Sequence, residues 1–138
     1  MSDLESQLPL PFREALAFLR QHRDPDVRID AIDANFAYVW INNLVKNTPG
    51  EARGGWIRLP VVFPHANPHG LVTRDALMRS NGEKVIDGHN PAHDMCKPVS
   101  SMGGAHYYSW TWAGAPALNS PKHIIGVAQW YERRIRNG

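Results

Sequence analysis

Three strand-like runs follow one another between residues 27 and 64, joined by links too short to hold a crossover helix. Parallel neighbours need a dozen or more connecting residues, so this stretch is expected to fold as an antiparallel meander. Residues 27–33 alternate, with Val27, Ile29 and Ala31 on one face and Arg28 and Asp30 on the other, as a half-buried strand does. Residues 35–45, NFAYVWINNLV, are aromatic and β-branched and read as a second strand. The turn Asn47-Thr48-Pro49-Gly50 and the pair Gly54-Gly55 lead into the third, WIRLPVVFP, residues 56–64.

Helical patterns bracket the meander. Within PFREALAFLRQHR, residues 11–23, Phe12, Ala15, Leu16 and Leu19 take the spacing of a buried helix stripe. Arg13, Arg20 and Arg23 lie off that stripe, and Pro11 suits the first helical position. Near the other end Ser120 reads as an N-cap and Pro121 as the first helical residue. Ile124, Val127, Ala128, Tyr131 and Ile135 form the buried stripe, with Arg133, Arg134 and Arg136 complementing the helix dipole in the last turn.

Between residues 64 and 121 periodicity mostly fails. Gly and Pro make up 22 of the 138 residues and crowd between 49 and 121, which favours turns and short strands. Residues 71–78 read as a short strand or helical turn, and 84–86 as a brief strand. The expected architecture is one α+β domain over residues 1–138: an N-terminal helix, a meander sheet of about four strands, a long loop and a C-terminal helix. Residues 1–10 are expected to be flexible.

At 43% hydrophobic and 20% charged, the chain is neither disordered, coiled-coil nor collagen-like. A net charge of +2 creates no field that would gather nucleic acid. No apolar run approaches the roughly 20 residues of a membrane span, and the polar start MSDLESQ is unlike a signal peptide. The expected setting is therefore the cytoplasm, with no nucleic-acid or membrane partner. One cysteine forbids an internal disulfide and suits a reducing compartment.

That cysteine, Cys96, lies in the irregular stretch with Asn90 and five of the seven histidines: His65, His69, His89, His93 and His106. Three chemistries follow. His89, His93 and Cys96 are spaced i, i+4, i+7, and with His65 or His106 they would make a zinc set. Paired Cys-x-x-Cys knuckles are absent, however, and Pro91 interrupts a shared helix face. An endonuclease built on His89-Asn90 would need clustered basic contacts to phosphate, whereas Lys84 and Lys97 are balanced by Asp87 and Asp94. A thiol nucleophile is the third: Cys96 sits between Met95 and Lys97 among polar residues. Against it stands the ordinary role of a lone cysteine as a small buried hydrophobe. Among the aromatics, Trp40, Trp56 and Trp130 are expected in the core, while Trp110 and Trp112 pack the long loop or face a partner.

The order of landmarks resembles the ubiquitin-conjugating enzyme family. In EARGGWIRLPVVFPHANPHGLVT, residues 51–73, Gly54-Gly55, Ile57, Leu59, Val61, Phe63-Pro64 and Pro68 fall in the register of that family's Gly-Gly turn, alternating strand and proline turns. Trp40-Ile41 and Thr48-Pro49 match what precedes it; His89-Asn90-Pro91, Cys96, Trp110, Trp112 and a helix follow in the family's order.

The resemblance implies a sandwich of the ubiquitin-conjugating type and a carrier enzyme without cofactor or bound metal. Cys96 would accept a ubiquitin-like protein as a thioester from an activating enzyme and pass it to an amine of a target protein. Asn90 would support the loop and stabilise the oxyanion, with His89 beside it, and the basic face of residues 11–23 would dock the activating enzyme. His-Asn-Pro replaces the family's His-Pro-Asn, and the loop after Cys96 is long and Gly-rich (Met102-Gly103-Gly104). Such departures resemble the divergent prokaryotic branch, some of whose systems act against phage and in which a later histidine, here His106, compensates. The alternatives are a non-catalytic binding module on the same fold, or a small zinc domain using His89, His93 and Cys96.

Overall fold

The computed structural model describes residues 3–48, 51–79, 81–111 and 118–137. A short helix α1 (Asp3–Ser6) and the helix α2 (Leu10–His22) precede the strands β1 (Arg28–Asp33), β2 (Phe36–Thr48), β3 (Glu51–Pro60) and β4 (His69–Thr73). Strand β5 (His89–Pro91), a 3₁₀ segment η1 (Asp94–Met102) and strand β6 (His106–Thr111) follow. A 3₁₀ turn η2 (Pro121–His123) then leads into the final helix α3 (Ile124–Asn137). The strands form one antiparallel sheet in the order β1-β2-β3-β4-β6-β5.

The meander and the bracketing helices are as the sequence leads one to expect, but the sheet has six strands rather than about four. The additional pairing comes from the stretch expected to be irregular. Strand β4 is buried on both faces after its first residue, and β6, HYYSWT, sets Tyr107 on one face and Tyr108 on the other. Strands buried on both faces carry no period-two signal. Three further differences are local. Strand β3 begins at Glu51, so that Gly54-Gly55 lie within it rather than before it. Strand β3 ends at Pro60, and residues 61–66 turn instead of continuing to 64. Lys84 makes only an isolated bridge to Met78, so no strand forms at 84–86.

Helices α2 and α3 cover one face of the sheet. Phe12, Ala15, Leu16 and Leu19 meet Val127, Ala128, Tyr131 and Ile135 over Val39, Ile41, Ile57, Leu59 and Leu71, all buried. This is where both predicted stripes go, and hydrophobic burial drives it. Ser120 occupies the expected N-cap position but makes no side-chain cap bond. Trp56 and Trp40 are buried as expected, and Trp130 is half-buried against the core. Trp112 and the Pro49-Gly50 part of the expected turn lie outside the described residues, as does the side chain of Arg136.

The N-terminal segment packs too. Leu8 joins the core, and buried Glu5 pairs with Arg20 at 2.9 and 2.5 Å, which pulls the Glu5 carboxyl below its usual range. Arg13 donates to the Leu8 carbonyl, Arg20 also to that of Val27, and Arg23 pairs with Glu132 of α3. The arginines read as a docking face thus tie α2 to its own chain. No helix of the described residues is long and apolar enough to cross a membrane.

Candidate functional site

The sheet face away from the helices is built by alternation along three strands. Tyr38 and Trp40 of β2, Trp56 and Arg58 of β3, and Tyr107 of β6 all point to that side, where η1 lies over them. Segment η1 is fastened at both ends and in the middle. At its start the His93 Nδ1 accepts from the Met95 N–H at 3.1 Å, and at its end Gly103 adopts φ +96°, a conformation that favours glycine. Between them the Tyr38 hydroxyl donates to the Met95 carbonyl at 2.7 Å.

Cys96 is the third residue of η1, and this anchoring turns it inward. It is 3% exposed, packed in a cluster with Tyr38, Trp40, Trp56, Val72, Val99 and Tyr107. Burial pushes its thiol above its ordinary value, with the His93 backbone offsetting part of that shift. Nucleophilic cysteines need the opposite: access and a lowered thiol pKa. Polar neighbours in sequence had suggested an exposed thiol, yet they alternate around η1 so that Asp94 and Lys97 pair with each other in solvent while Cys96 faces the sheet.

The other predicted residues divide into separate places. His89 and His106 stand together across the β5–β6 pair, Nε2 to Nδ1 at 2.9 Å, with His89 also stacked on Tyr108. Burial first, then His106 and Lys84, lowers the His89 pKa. Asn90 directs its amide to the Gly88 carbonyl at 3.0 Å, within its own loop. This bond holds the side chain to its own chain turn, and none joins it to Cys96. His93 stacks on Tyr107, and His65 is exposed. The zinc set His89, His93 and Cys96 is therefore split, and among the described residues no three His, Cys, Asp or Glu side chains gather as metal ligands. Trp110 is 5% exposed and donates to the Asp87 carbonyl, which makes it a packing residue.

One residue of this face escaped the sequence reading. Arg58 is 5% exposed, with its guanidinium 4.3 Å from the Phe36 ring centre and between the rings of Tyr38 and Tyr107. Its Nε donates to the Tyr38 hydroxyl at 3.2 Å, and Nη1 to the His69 carbonyl at 3.0 Å and the Tyr107 hydroxyl at 3.3 Å. The available signal was parity: Arg58 shares its face with Trp56, two residues earlier.

A second feature is an open cleft of about 380 Å³ where β2 bulges between Ile41 and Val45. Trp40, Asn42, Asn43, Arg53, Gly54 and Arg74 line it. Gly54 is required there, since a Cβ would fall 2.1 Å from Cζ2 of Trp40. Compared with protein-family models, curated proteins and solved structures, the chain matches none.

Proposed function

We propose that this chain is a non-catalytic binding module with an architecture like that of the ubiquitin-conjugating enzymes, in which Cys96 packs rather than reacts. The observation that carries the reading is the burial of Cys96 to 3% exposure, with its thiol pKa raised by that burial. A carrier thiol must meet both the activating enzyme's thioester and the incoming amine, so a closed thiolate site has no route to chemistry. The order of N-terminal helix, meander, single cysteine and C-terminal helix supports a ubiquitin-like protein or its activating enzyme as the partner. The polar cleft beside Trp40, Arg53 and Arg74 offers hydrogen-bonding groups for such a surface.

A second reading, the thioester carrier, is favoured by one observation: the single cysteine lies in a 3₁₀ segment after the meander, between β5 and β6, in the chain order that the resemblance gives the nucleophile. It requires η1 to lift from Tyr38 and Tyr107. One experiment separates the two. The chain is incubated with an activating enzyme, a ubiquitin-like protein and ATP, and resolved on non-reducing gels beside Cys96→Ala. The binding module gives no reductant-sensitive adduct, and Cys96→Ala retains partner affinity. An adduct that is abolished by Cys96→Ala overturns it in favour of the carrier.

A further inference from the structure

At its bulge, strand β2 is longer than the strand it pairs with. Ile41 pairs with Gly55 and Val45 with Arg53, so Asn42, Asn43 and Leu44 stand opposite Gly54 alone. Leu44 goes into the core beneath the helices, while the two asparagines stay outside it, Asn42 half-buried and Asn43 exposed. Bulges re-aim side chains in this way beside binding sites. This one is fastened in place. The Asp24 carboxylate accepts from the Asn42 N–H at 2.8 Å, and Asn43 takes φ +59°, which asparagine tolerates better than most residues do.

The cleft of about 380 Å³ at this bulge is lined by side chains with hydrogen-bond donors to spare. Arg74 is exposed there but held. Its guanidinium lies 4.5 Å from the Trp40 ring centre and 5.5 Å from that of Trp56, and its Nε donates to the Met102 carbonyl at 3.0 Å. Gly103 packs along its stem, where an added Cβ would come 3.3 Å from the Arg74 Cγ. Among the described residues neither Nη nitrogen of Arg74 is bonded and no carboxylate pairs with it, whereas Arg53 is held by Asp75. Asn42 Oδ1 accepts from Trp40 Nε1 at 2.8 Å, which leaves its NH₂ group to donate, and the Asn43 side chain makes no hydrogen bond.

We propose that this cleft binds a small carboxylate, with the Nη1–Nη2 edge of Arg74 forking its two oxygens and the amides of Asn42 and Asn43 completing the donor set. The volume is that of a small-molecule pocket, and a guanidinium already held by ring faces loses little freedom on binding. Charge favours a monoanion. One lining guanidinium lacks a counter-charge, while Asp75, which lines the same cleft, repels a dianion such as phosphate. The assignment goes beyond the binding-module reading, which gives this cleft to a protein surface. It is tested with no partner present, so its failure leaves that reading standing, and a thioester on Cys96 would leave this one standing.

The full chain is titrated with acetate and, separately, with inorganic phosphate at a pH where phosphate is dianionic, each against chloride at equal ionic strength. The Trp40 indole N–H and Arg74 Nε–Hε resonances are followed. Saturable shifts of both with acetate, at lower concentration than with phosphate, are expected. The apparent affinity, read at Trp40, should weaken about tenfold in Arg74→Met and about threefold in Arg74→Lys, which keeps the charge without the fork. Asn43→Gly, which removes an amide at a backbone angle that suits glycine, should cost about threefold, and Lys97→Ala, a cation outside the cleft, nothing. If Arg74→Met does not fold, Arg74→Lys and Asn43→Gly decide. Phosphate binding as tight as acetate, responses no larger than with chloride, or an affinity unchanged in the Arg74 and Asn43 variants overturns the assignment.

Discussion

His89 and His106 meet across the β5–β6 pair, with Nε2 of one 2.9 Å from Nδ1 of the other. One ring must donate and the other accept, so the pair is compatible with at most one positive charge without repulsion. The folded state holds His89 below its ordinary value of 6.5, through burial, His106 and Lys84 in that order. As pH falls, the unfolded chain therefore takes up this proton before the folded one does. Stability contributed by the pair is complete above about pH 6.5 and is lost as pH drops through the lowered native value. Urea midpoints measured from about pH 8 to about pH 5 should fall, and His89→Phe, which keeps the stack on Tyr108, should flatten the curve. A slope unchanged in His89→Phe would assign the effect elsewhere, with His69, also lowered by burial and Arg58, the next group to test.

Cys96 should behave as a core residue. In the native chain its reaction with a bulky thiol reagent is expected to be about tenfold or more slower than in denaturant, because η1 must open first. Cys96→Ala should cost about 1 kcal/mol, the value of a small apolar group removed from a packed cluster. Native labelling at the denatured rate would contradict the packing.

Two glycines make an opposed pair. At Gly54 an added methyl meets the Trp40 ring at 2.1 Å, so Gly54→Ala should destabilise by about 1–3 kcal/mol through overpacking. At Gly126 in α3 nothing lies within 4 Å of such a methyl, so Gly126→Ala should stabilise by about 0.5–1 kcal/mol through helix propensity. Chemical denaturation of both variants checks the sign as well as the size.

The Tyr131 hydroxyl joins α3 to the sheet. It accepts from the Gly70 N–H at 3.1 Å and donates to the Trp110 carbonyl at 3.0 Å, and burial raises its pKa well above the usual value. Tyr131→Phe keeps the ring and strands both backbone groups away from water. A loss of about 1–3 kcal/mol is expected in equilibrium unfolding, with faster hydrogen exchange at Gly70.

The helices were legible because each buries one stripe only, and β2 and β3, though covered on both faces, because their runs are rich in aromatic and β-branched residues. Phe12 to Leu19 and Ile124 to Ile135 announce their stripes, whereas the alternation expected of β1 breaks at a bulge between Ile29 and Ala31, which leaves Val27 and Ile29 under the helices and Ala31 on the η1 face. Strands β4 and β6 were illegible, being short as well as covered on both sides. The inward turn of Cys96 depended on Tyr38, which lies 57 residues before the Met95 carbonyl it bonds, and no local pattern encodes such a contact. The same holds for Arg58, whose partners come from β2, β4 and β6. Asn90 and His89 were found as residues; the bond of Asn90 to Gly88 is local, but that of His89 to His106 was set by the β5–β6 register.

The order β1-β2-β3-β4-β6-β5 leaves two margins, and both are closed to extension. The β5 margin is three residues long and ends in Pro91, which has no amide proton to offer an incoming strand. The β1 margin carries Arg28, Asp30 and Asp33 and is kinked by a bulge between Ile29 and Ala31. A sheet trimmed in this way resists templating copies of itself. Among the described residues, a partner meeting either edge strand therefore reads side chains rather than a long regular backbone ladder.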